Sequence, residues 1–170
     1  MPFDYTVPPP IQAIDQGDAD LCWAAATTVL FNWRAVAPIS MTDAVGRLGV
    51  EFVALFAANK GVPTSEVGLW ASRGGFTADG LQCIDAAGWD AKMRASGPLI
   101  AMIDGTGGGV IDHAVVVYGI QGDGTPGGTT LRVANGQGAM LQTWTLSDFV
   151  TLFEAEAGEN LNFGLLYFAS

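Results

Sequence analysis

Positive charge is scarce in this chain. Its 170 residues include 7 Lys and Arg against 17 Asp and Glu, which gives a formal net charge of −10 at pH 7. Nucleic acids and anionic membrane surfaces attract proteins that carry clustered cations. The composition therefore argues against both partners, and it favours a neutral or basic peptide over an acidic one as a ligand.

Cysteine and histidine are also rare, because Cys22, Cys83 and His113 are the only examples of the two types. Two cysteines in a domain of this size do not make a disulfide scaffold, although one bridge between them stays open. One histidine and two isolated cysteines lack the spacing of a metal site. We therefore expect neither a metal nor another cofactor, and we interpret Cys83 as a core residue of a helix.

Long apolar runs are absent, although hydrophobic residues make up 49% of the sequence. No segment reaches the roughly 18 apolar residues that span a bilayer, so we expect no membrane partner. The first ten residues, MPFDYTVPPP, lack the basic segment and the apolar core of a Sec signal peptide. We expect a chain that stays in the cytoplasm or is exported by a specialised secretion system.

The apolar content that is present is enough for one buried core. Neither a repeat nor a linker divides the chain, so we expect a single domain over residues 1–170. The three prolines at 8–10 make 1–15 an extended arm. Helical patterns then occupy 16–95, and short β-rich runs occupy 96–170. Helices followed by a sheet predict an α+β fold with the two halves face to face and a ligand cleft between them.

Local signals place the elements within each half. Ser40, Thr64 and Thr77 are expected to cap helices, and a nearly apolar run from Cys22 to about Arg34 predicts a buried helix. The helices are expected at 22–34, 40–59, 65–72, 78–87 and 148–155. The strands are expected at 98–103, 114–120, 130–133, 140–145 and 163–168.

The most informative segment is the one around Cys22, which reads QGDADLCWAAA over 16–26. A cysteine directly ahead of a long apolar stretch falls in the first turn of a buried helix. Helix N-termini carry partial positive charge and unpaired N–H groups, which stabilise a thiolate and an adjacent oxyanion. The amide of Gln16 can reach the same point from the preceding loop.

Two further polar residues stand at the ends of expected strands. His113 opens the run HAVVVYG, and Asn135 lies in LRVANGQG, where the next strand should end. Each residue alone has an ordinary explanation, since cysteine and histidine are often core residues and Asn-Gly is often a turn. Together they supply a nucleophile, a base and an orienting amide, and this combination favours catalysis.

The order of these motifs resembles that of the papain-like cysteine peptidases (clan CA), where Gln precedes Cys-Trp, Asp-His-Ala begins a strand and Asn ends the next. The chain is shorter than papain and is most similar to the small bacterial AvrRpt2-type (C70-like) or C39-like effector peptidases. It departs from the usual pattern after Asn135, where Gly-Gln-Gly replaces Ser-Trp-Gly. Trp144 is a candidate to replace the missing tryptophan, with core packing as the alternative.

The resemblance implies a papain-like fold and hydrolysis of peptide bonds through a thioester acyl-enzyme. It implies that Cys22 is the nucleophile, that His113 is its proton partner and that Asn135 fixes the imidazole ring. Gln16 and the N–H of Cys22 then form the oxyanion hole. It also implies a protein or peptide substrate, an inhibitor, immunity or chaperone protein as partner, and a secreted bacterial effector or toxin.

Two other functions fit the same residues. The same triad serves a cysteine amidase or transamidase that acts on cell-wall or other amides, which product analysis separates from a peptidase. A papain-like fold also serves as a non-catalytic binding module, which the absence of Ser-Trp after Asn135 favours. An inert thiol at Cys22 is the expected sign of that third function.

Overall fold

The computed structural model describes residues 2–17, 20–80, 83–104, 113–154 and 164–169. Within these residues the chain forms six α-helices and a seven-stranded antiparallel sheet, which confirms the expected α+β fold. The helices are α1 (Cys22–Arg34), α2 (Met41–Leu48), α3 (Val50–Ala57), α4 (Val67–Gly74), α5 (Ala86–Ser96) and α6 (Leu146–Glu154). The strands are β1 (Phe3–Thr6), β2 (Thr77–Asp79), β3 (Leu99–Ile103), β4 (His113–Gly122), β5 (Thr129–Asn135), β6 (Met140–Thr145) and β7 (Leu165–Tyr167). None of the described helices is long and apolar enough to span a membrane.

Strand β4 is the centre of the sheet, whose order is β2-β7-β3-β4-β5-β6. Strand β5 follows one edge of β4, while β3 and β1 share the other edge, at 113–117 and 119–122 respectively. At Gly119 an added Cβ would stand 2.9 Å from the carbonyl oxygen of Tyr5, so glycine is required for β1 to approach this closely. The first part of the expected arm (1–15) is therefore a strand of the sheet, because β1 pairs with β4.

Helices cover both faces of the sheet. Helices α1 to α4 pack on the face that carries Ile100, Met102 and Val116. Helices α5 and α6 pack on the opposite face, which carries Ala101 and Val115. Helix α5 is the last helix of the expected helical half (16–95). This half therefore contributes helices to both faces of the sheet, α1 to α4 on one and α5 on the other. The division of the chain at 95/96 stays a prediction.

Helix α1 has the bounds that the sequence predicts and runs through the centre of the molecule. Its residues from Cys22 to Leu30 are all buried. A helix that is apolar on every side can bury all of its surface only between other layers. Here the other helices of its layer and one face of the sheet enclose it, so its first residue is held firmly in place.

The helix predicted at 78–87 is wrong. Thr77–Asp79 form the edge strand β2, which pairs with β7, and α5 begins only after Asp85. Asp85 is the actual cap, since its Oδ1 accepts a hydrogen bond from the N–H of Gly88 at 2.8 Å. Pairing with a distant strand overrides the local helix signal at this point. Cys83 is consequently an exposed residue ahead of α5, which corrects its assignment to a helical core.

The helix expected from Ser40 to about Asn59 is divided in two. Its cap is present, because the N–H of Asp43 donates to Ser40 Oγ at 3.1 Å. Gly49 then adopts a φ of 110°, which ends α2 and starts α3 in a new direction. This backbone conformation is open to glycine and strained for other residues, so the break follows from the residue type.

A buried hydrogen bond between α4 and α1 gives a stability prediction. Trp70 Nε1 donates to Thr27 Oγ1 at 2.9 Å, and that hydroxyl donates to the carbonyl of Trp23 at 2.7 Å. Replacing Thr27 with valine leaves the indole N–H buried without its acceptor. We expect Thr27→Val to lower the free energy of unfolding by about 1–3 kcal/mol, measured by urea denaturation.

Thr28→Val is the matched control for this prediction. Thr28 is buried in the same helix, and its hydroxyl donates only to the carbonyl of Ala24, at 2.7 Å. That carbonyl keeps its helical N–H partner when the hydroxyl is removed, so no polar group is stranded. Equal losses of stability in Thr27→Val and Thr28→Val would show that the Trp70 hydrogen bond adds nothing.

Candidate active site

Cys22 is the first residue of α1 and is buried. The residue before it, Leu21, has no polar side chain with which to cap the helix, so the first turn presents its N–H groups and its positive dipole end to the thiol. This arrangement stabilises a negative charge on sulfur. The structure therefore places the cysteine where the sequence predicted it.

His113 and Asn135 come together at one end of the sheet. His113 is the first residue of β4 and Asn135 the last residue of β5, and the two strands are antiparallel neighbours. The beginning of one strand therefore lies beside the end of the other. His113 Nε2 is 2.9 Å from Asn135 Oδ1, and both residues are buried. The imidazole is thus held on one side by a hydrogen bond from which water is largely excluded.

The partners of the Asn135 amide determine which ring nitrogen carries the proton. The backbone N–H of Gln137 donates to Asn135 Oδ1 at 3.0 Å, and Asn135 Nδ2 donates to Gln142 Oε1 at 3.2 Å. The oxygen of the amide therefore faces His113, and Nε2 must be the donor in that contact. The other ring nitrogen, Nδ1, is left to act on a reacting group.

Gln16 packs against the turn that follows Asn135. Its backbone N–H donates to the carbonyl of Gly136 at 2.9 Å, and the residue is buried. A Cβ added to Gly136 would stand 2.7 Å from Gln16 Oε1 and 3.2 Å from the Cβ of Ala25 in α1. The side-chain amide of Gln16 is therefore confined between the Asn135 turn and the first turns of α1.

Cys22 and His113 line the same cavity, which has a volume of about 240 Å³. Helices α1 and α4 with the loops that precede them form one wall, and the beginning of β4 with the end of β3 forms the other. Asp20 is the only carboxylate among the described residues that line it. The apolar part of the lining consists of Trp23, Val62, Val67, Trp70, Met102 and Ala114. The cavity therefore has a largely apolar wall beside the thiol and the imidazole, with one carboxyl group in its lining.

The structure brings all four sequence candidates to one region, and it adds Gln142, which sequence reasoning missed. The alternation of β6 places this residue on the face of the sheet that carries Asn135. That placement needs the register between β5 and β6, which the sequence alone does not reveal. Trp144 is a candidate from the sequence, and its Nε1 donates to Gln142 Oε1 at 3.1 Å.

Comparison with known proteins gives one family. A family model described as papain-like cysteine protease AvrRpt2 matches residues 3–154. This range contains Cys22, His113 and Asn135, together with the cavity between the helices and the sheet. A search of curated proteins finds no match.

Proposed function

This chain belongs to the AvrRpt2 family of papain-like cysteine proteases, and from that premise we propose that Cys22, His113 and Asn135 are its catalytic triad. The observation that carries the proposal is the combination of two contacts. Cys22 and His113 share one cavity, and the far nitrogen of the imidazole is 2.9 Å from Asn135 Oδ1. The nucleophile, the base and the group that orients the base are therefore neighbours in space, in that order.

The proposed reaction has two steps. The Cys22 thiolate attacks the carbonyl carbon of a peptide bond, and the His113 imidazolium gives its Nδ1 proton to the leaving amine. A thioester between Cys22 Sγ and the acyl group remains. Water then attacks this thioester while the neutral His113 accepts a proton from it. The C–S bond breaks, which releases the new carboxyl end and restores the Cys22 thiolate and the His113 imidazolium.

The tetrahedral intermediates carry a negatively charged oxygen, which hydrogen-bond donors stabilise. We assign this role to the N–H of Cys22 and to the side-chain amide of Gln16. The first lies at the positive end of α1, and the second is confined beside it by Gly136 and Ala25. Donors that are fixed before the reaction starts stabilise the oxyanion without reorganisation, and losing one commonly costs about 10²- to 10³-fold in rate.

The cavity indicates which peptides bind. Its lining is mostly apolar, and the side chains of Val62, Trp70 and Met102 contribute to it. Asp20 at the same cavity and the net charge of −10 disfavour acidic peptides. We therefore propose that the substrate is a protein segment with an apolar side chain close to the scissile bond and with neutral or basic neighbours.

Digestion of a diverse peptide library tests this function. We expect new amino and carboxyl ends, identified by mass spectrometry, with apolar residues enriched near the cut and acidic residues depleted. Adding a primary amine distinguishes hydrolysis from transfer, because a transamidase joins the amine to the new acyl end. A library that remains intact, while intact muropeptides are cleaved, would favour the amidase over the peptidase.

The resemblance to effector peptidases supports a further part of the proposal, namely that the chain acts as a toxin or effector on a protein of another cell. We propose that an inhibitor, immunity or chaperone protein is its partner in the cell that makes it. Production of the parent chain inside recipient cells is expected to stop growth, whereas Cys22→Ala is expected to leave growth unchanged. Equal growth of the two cultures would contradict the effector role and leave the peptidase activity untouched.

A further inference from the structure

We propose that Gln142 and Trp144 on β6 are positioning residues, which hold the Asn135 amide in the orientation that His113 requires. The inference rests on the proposed triad and adds to it two residues from a different strand. In this chain Gly136 and Gln137 follow Asn135 directly. The backbone N–H of Gln137 donates to Asn135 Oδ1, and the partner of Asn135 Nδ2 comes from β6.

The register of the sheet creates the contact. Strands β5 and β6 pair so that Asn135 lies opposite Met140 and Leu131 lies opposite Trp144. Side chains alternate along a strand, so Gln142 and Trp144 project from the same face as Asn135. Gln142 Oε1 then accepts two hydrogen bonds, from Asn135 Nδ2 at 3.2 Å and from Trp144 Nε1 at 3.1 Å.

The donor and acceptor directions along this chain of hydrogen bonds are determined by the two groups at its ends, which can only donate. An amide group has nearly the same shape when it is turned by 180°, so packing alone does not orient Asn135 or Gln142. The indole N–H of Trp144 can only donate, and it therefore requires the oxygen of Gln142. That oxygen in turn requires the NH₂ group of Asn135, which leaves Asn135 Oδ1 facing His113. The backbone N–H of Gln137, also a pure donor, contacts the same Oδ1 at 3.0 Å.

Trp144 is itself held in place by the core. Its ring packs on Phe149 of α6 with centroids 5.9 Å apart and planes inclined by 48°. A half-buried indole with a fixed ring plane has a fixed N–H direction. Core packing and orientation of the triad are therefore not alternatives for Trp144, because the first provides the second.

The consequence for catalysis concerns the imidazole. With Oδ1 toward the ring, Nε2 keeps its proton and Nδ1 is left to exchange a proton with the thiol that lines the same cavity. A turned Asn135 amide would set its N–H groups against the N–H of Nε2, which destabilises the imidazolium and with it the thiolate ion pair. Removing the acceptor at Gln142 or the donor at Trp144 lets the turned amide become populated.

Four variants of the full chain separate this role from ordinary packing. Gln142→Met keeps the length of the side chain and removes the acceptor, and Trp144→Phe keeps the ring on Phe149 and removes the donor. Gln142→Glu keeps an acceptor oxygen for both donors. Thr143→Val is the matched control, since Thr143 is an exposed neighbour on the same strand whose side chain points to the other face.

The readout is the rate at which iodoacetamide alkylates Cys22 from pH 4 to 9, which needs no substrate. Asp20 and Cys22, the other titratable groups described at the cavity of His113, are unchanged in every variant. Gln142→Glu adds one carboxyl beside Asn135, and its negative charge favours the imidazolium. At pH 6 we expect Gln142→Met and Trp144→Phe to be alkylated about three- to tenfold more slowly than the parent, the effect of one hydrogen bond. Thr143→Val is expected to keep the parent rate within about twofold, and Gln142→Glu is expected to be alkylated at least as fast as the parent.

A spectroscopic signature accompanies the rates. His113 is the only histidine of the chain, so ¹⁵N-histidine labelling gives the signals of one imidazole. A hydrogen-bonded Nε2–H proton is expected in the parent, in Gln142→Glu and in Thr143→Val. It is expected to broaden or vanish in Gln142→Met and Trp144→Phe, whose urea midpoints are measured in parallel to show that the fold is kept.

The outcomes distinguish this inference from the proposed function. Rapid alkylation of the parent at pH 6, with unchanged rates and an unchanged imidazole signal in Gln142→Met and Trp144→Phe, would overturn the positioning role and leave the triad standing. The same loss in Thr143→Val, or a loss in Gln142→Glu, would also overturn it. A parent thiol that reacts slowly at pH 6 would contradict the proposed triad and remove the basis of the inference with it.

Discussion

Replacing Cys22 with alanine is expected to reduce kcat/KM for peptide hydrolysis by about 10⁵- to 10⁶-fold, the loss seen when the nucleophile of such a catalytic unit is removed. The reason is that no acyl-enzyme can form, and His113 alone has no thiol to activate. The library peptides with the fastest cleavage provide the measurement.

The fold is expected to survive this change. Alanine has the highest helix propensity, and the substitution removes one sulfur at the first residue of α1. We expect the free energy of unfolding to change by less than about 1 kcal/mol. Cys83→Ala is the matched control, because Cys83 is exposed and lies outside the candidate site. Hydrolysis in Cys22→Ala at the rate of Cys83→Ala would show that Cys22 is not the nucleophile.

Gly136→Ala is expected to lower kcat/KM by about 10²- to 10³-fold and, because its Cβ also presses on the Cβ of Ala25, to lower the free energy of unfolding by about 1–3 kcal/mol. The backbone of Gly136 has a φ of −69°, which alanine adopts without strain. The added Cβ, however, would stand 2.7 Å from Gln16 Oε1. The end of a flexible side chain yields more easily than backbone, so the Gln16 amide moves and the oxyanion loses a donor.

Two further variants make this prediction specific. Gly127→Ala lies in the loop at the other end of β5, where an added Cβ meets no described atom within 4 Å, and it is expected to keep the parent activity. Gln16→Ala is expected to match Gly136→Ala, and the double variant to be no worse than either, because both remove the same donor. Additive losses would mean that Gly136 acts on catalysis by another route than Gln16.

The candidate site was accessible to sequence reasoning because its residues stand at the ends of elements. Cys22 precedes an apolar helical run, and His113 and Asn135 begin and end β-rich runs. Ends of elements are visible as changes of pattern along the chain. His113 and Asn135 meet because β4 and β5 are antiparallel neighbours, whereas the place of Cys22 beside them was implied by the resemblance to the papain-like peptidases.

Gln142 was not accessible in this way. Nothing in the segment MLQTWT marks one polar residue as different from the next. Its importance arises from the register that sets Val133 opposite Gln142, and a shift by one residue would turn it to the other face. Register depends on long-range pairing, so single-residue patterns cannot supply it.

The errors in the fold have a similar origin. The strand β2 consists of three residues at the edge of the sheet and pairs with β7, near the end of the chain. A pattern of three residues is too short to outweigh the helix signals around Thr77. Because Cys83 falls within the incorrectly predicted helix at 78–87, it was assigned to the core, whereas it is exposed. At Thr77–Asp79 the pairing with a distant strand overrides the local helix propensity.

The central claim is that Cys22 is activated by His113, and the pH dependence of its alkylation tests this claim most directly. Iodoacetamide labelling from pH 4 to 9, resolved by site with mass spectrometry, compares the parent with His113→Ala. Cys83 is the internal reference, because a hydrogen bond to Glu154 and the charge of that carboxylate raise the pKa of the Cys83 thiol and slow its labelling below that pKa.

The account predicts rapid labelling of Cys22 well below pH 7 in the parent and its loss in His113→Ala. An ordinary thiol has a pKa near 8.5, so reaction at low pH requires a stabilised thiolate. Labelling of Cys22 that is slow in both proteins and rises only near pH 8.5 would contradict the proposed triad.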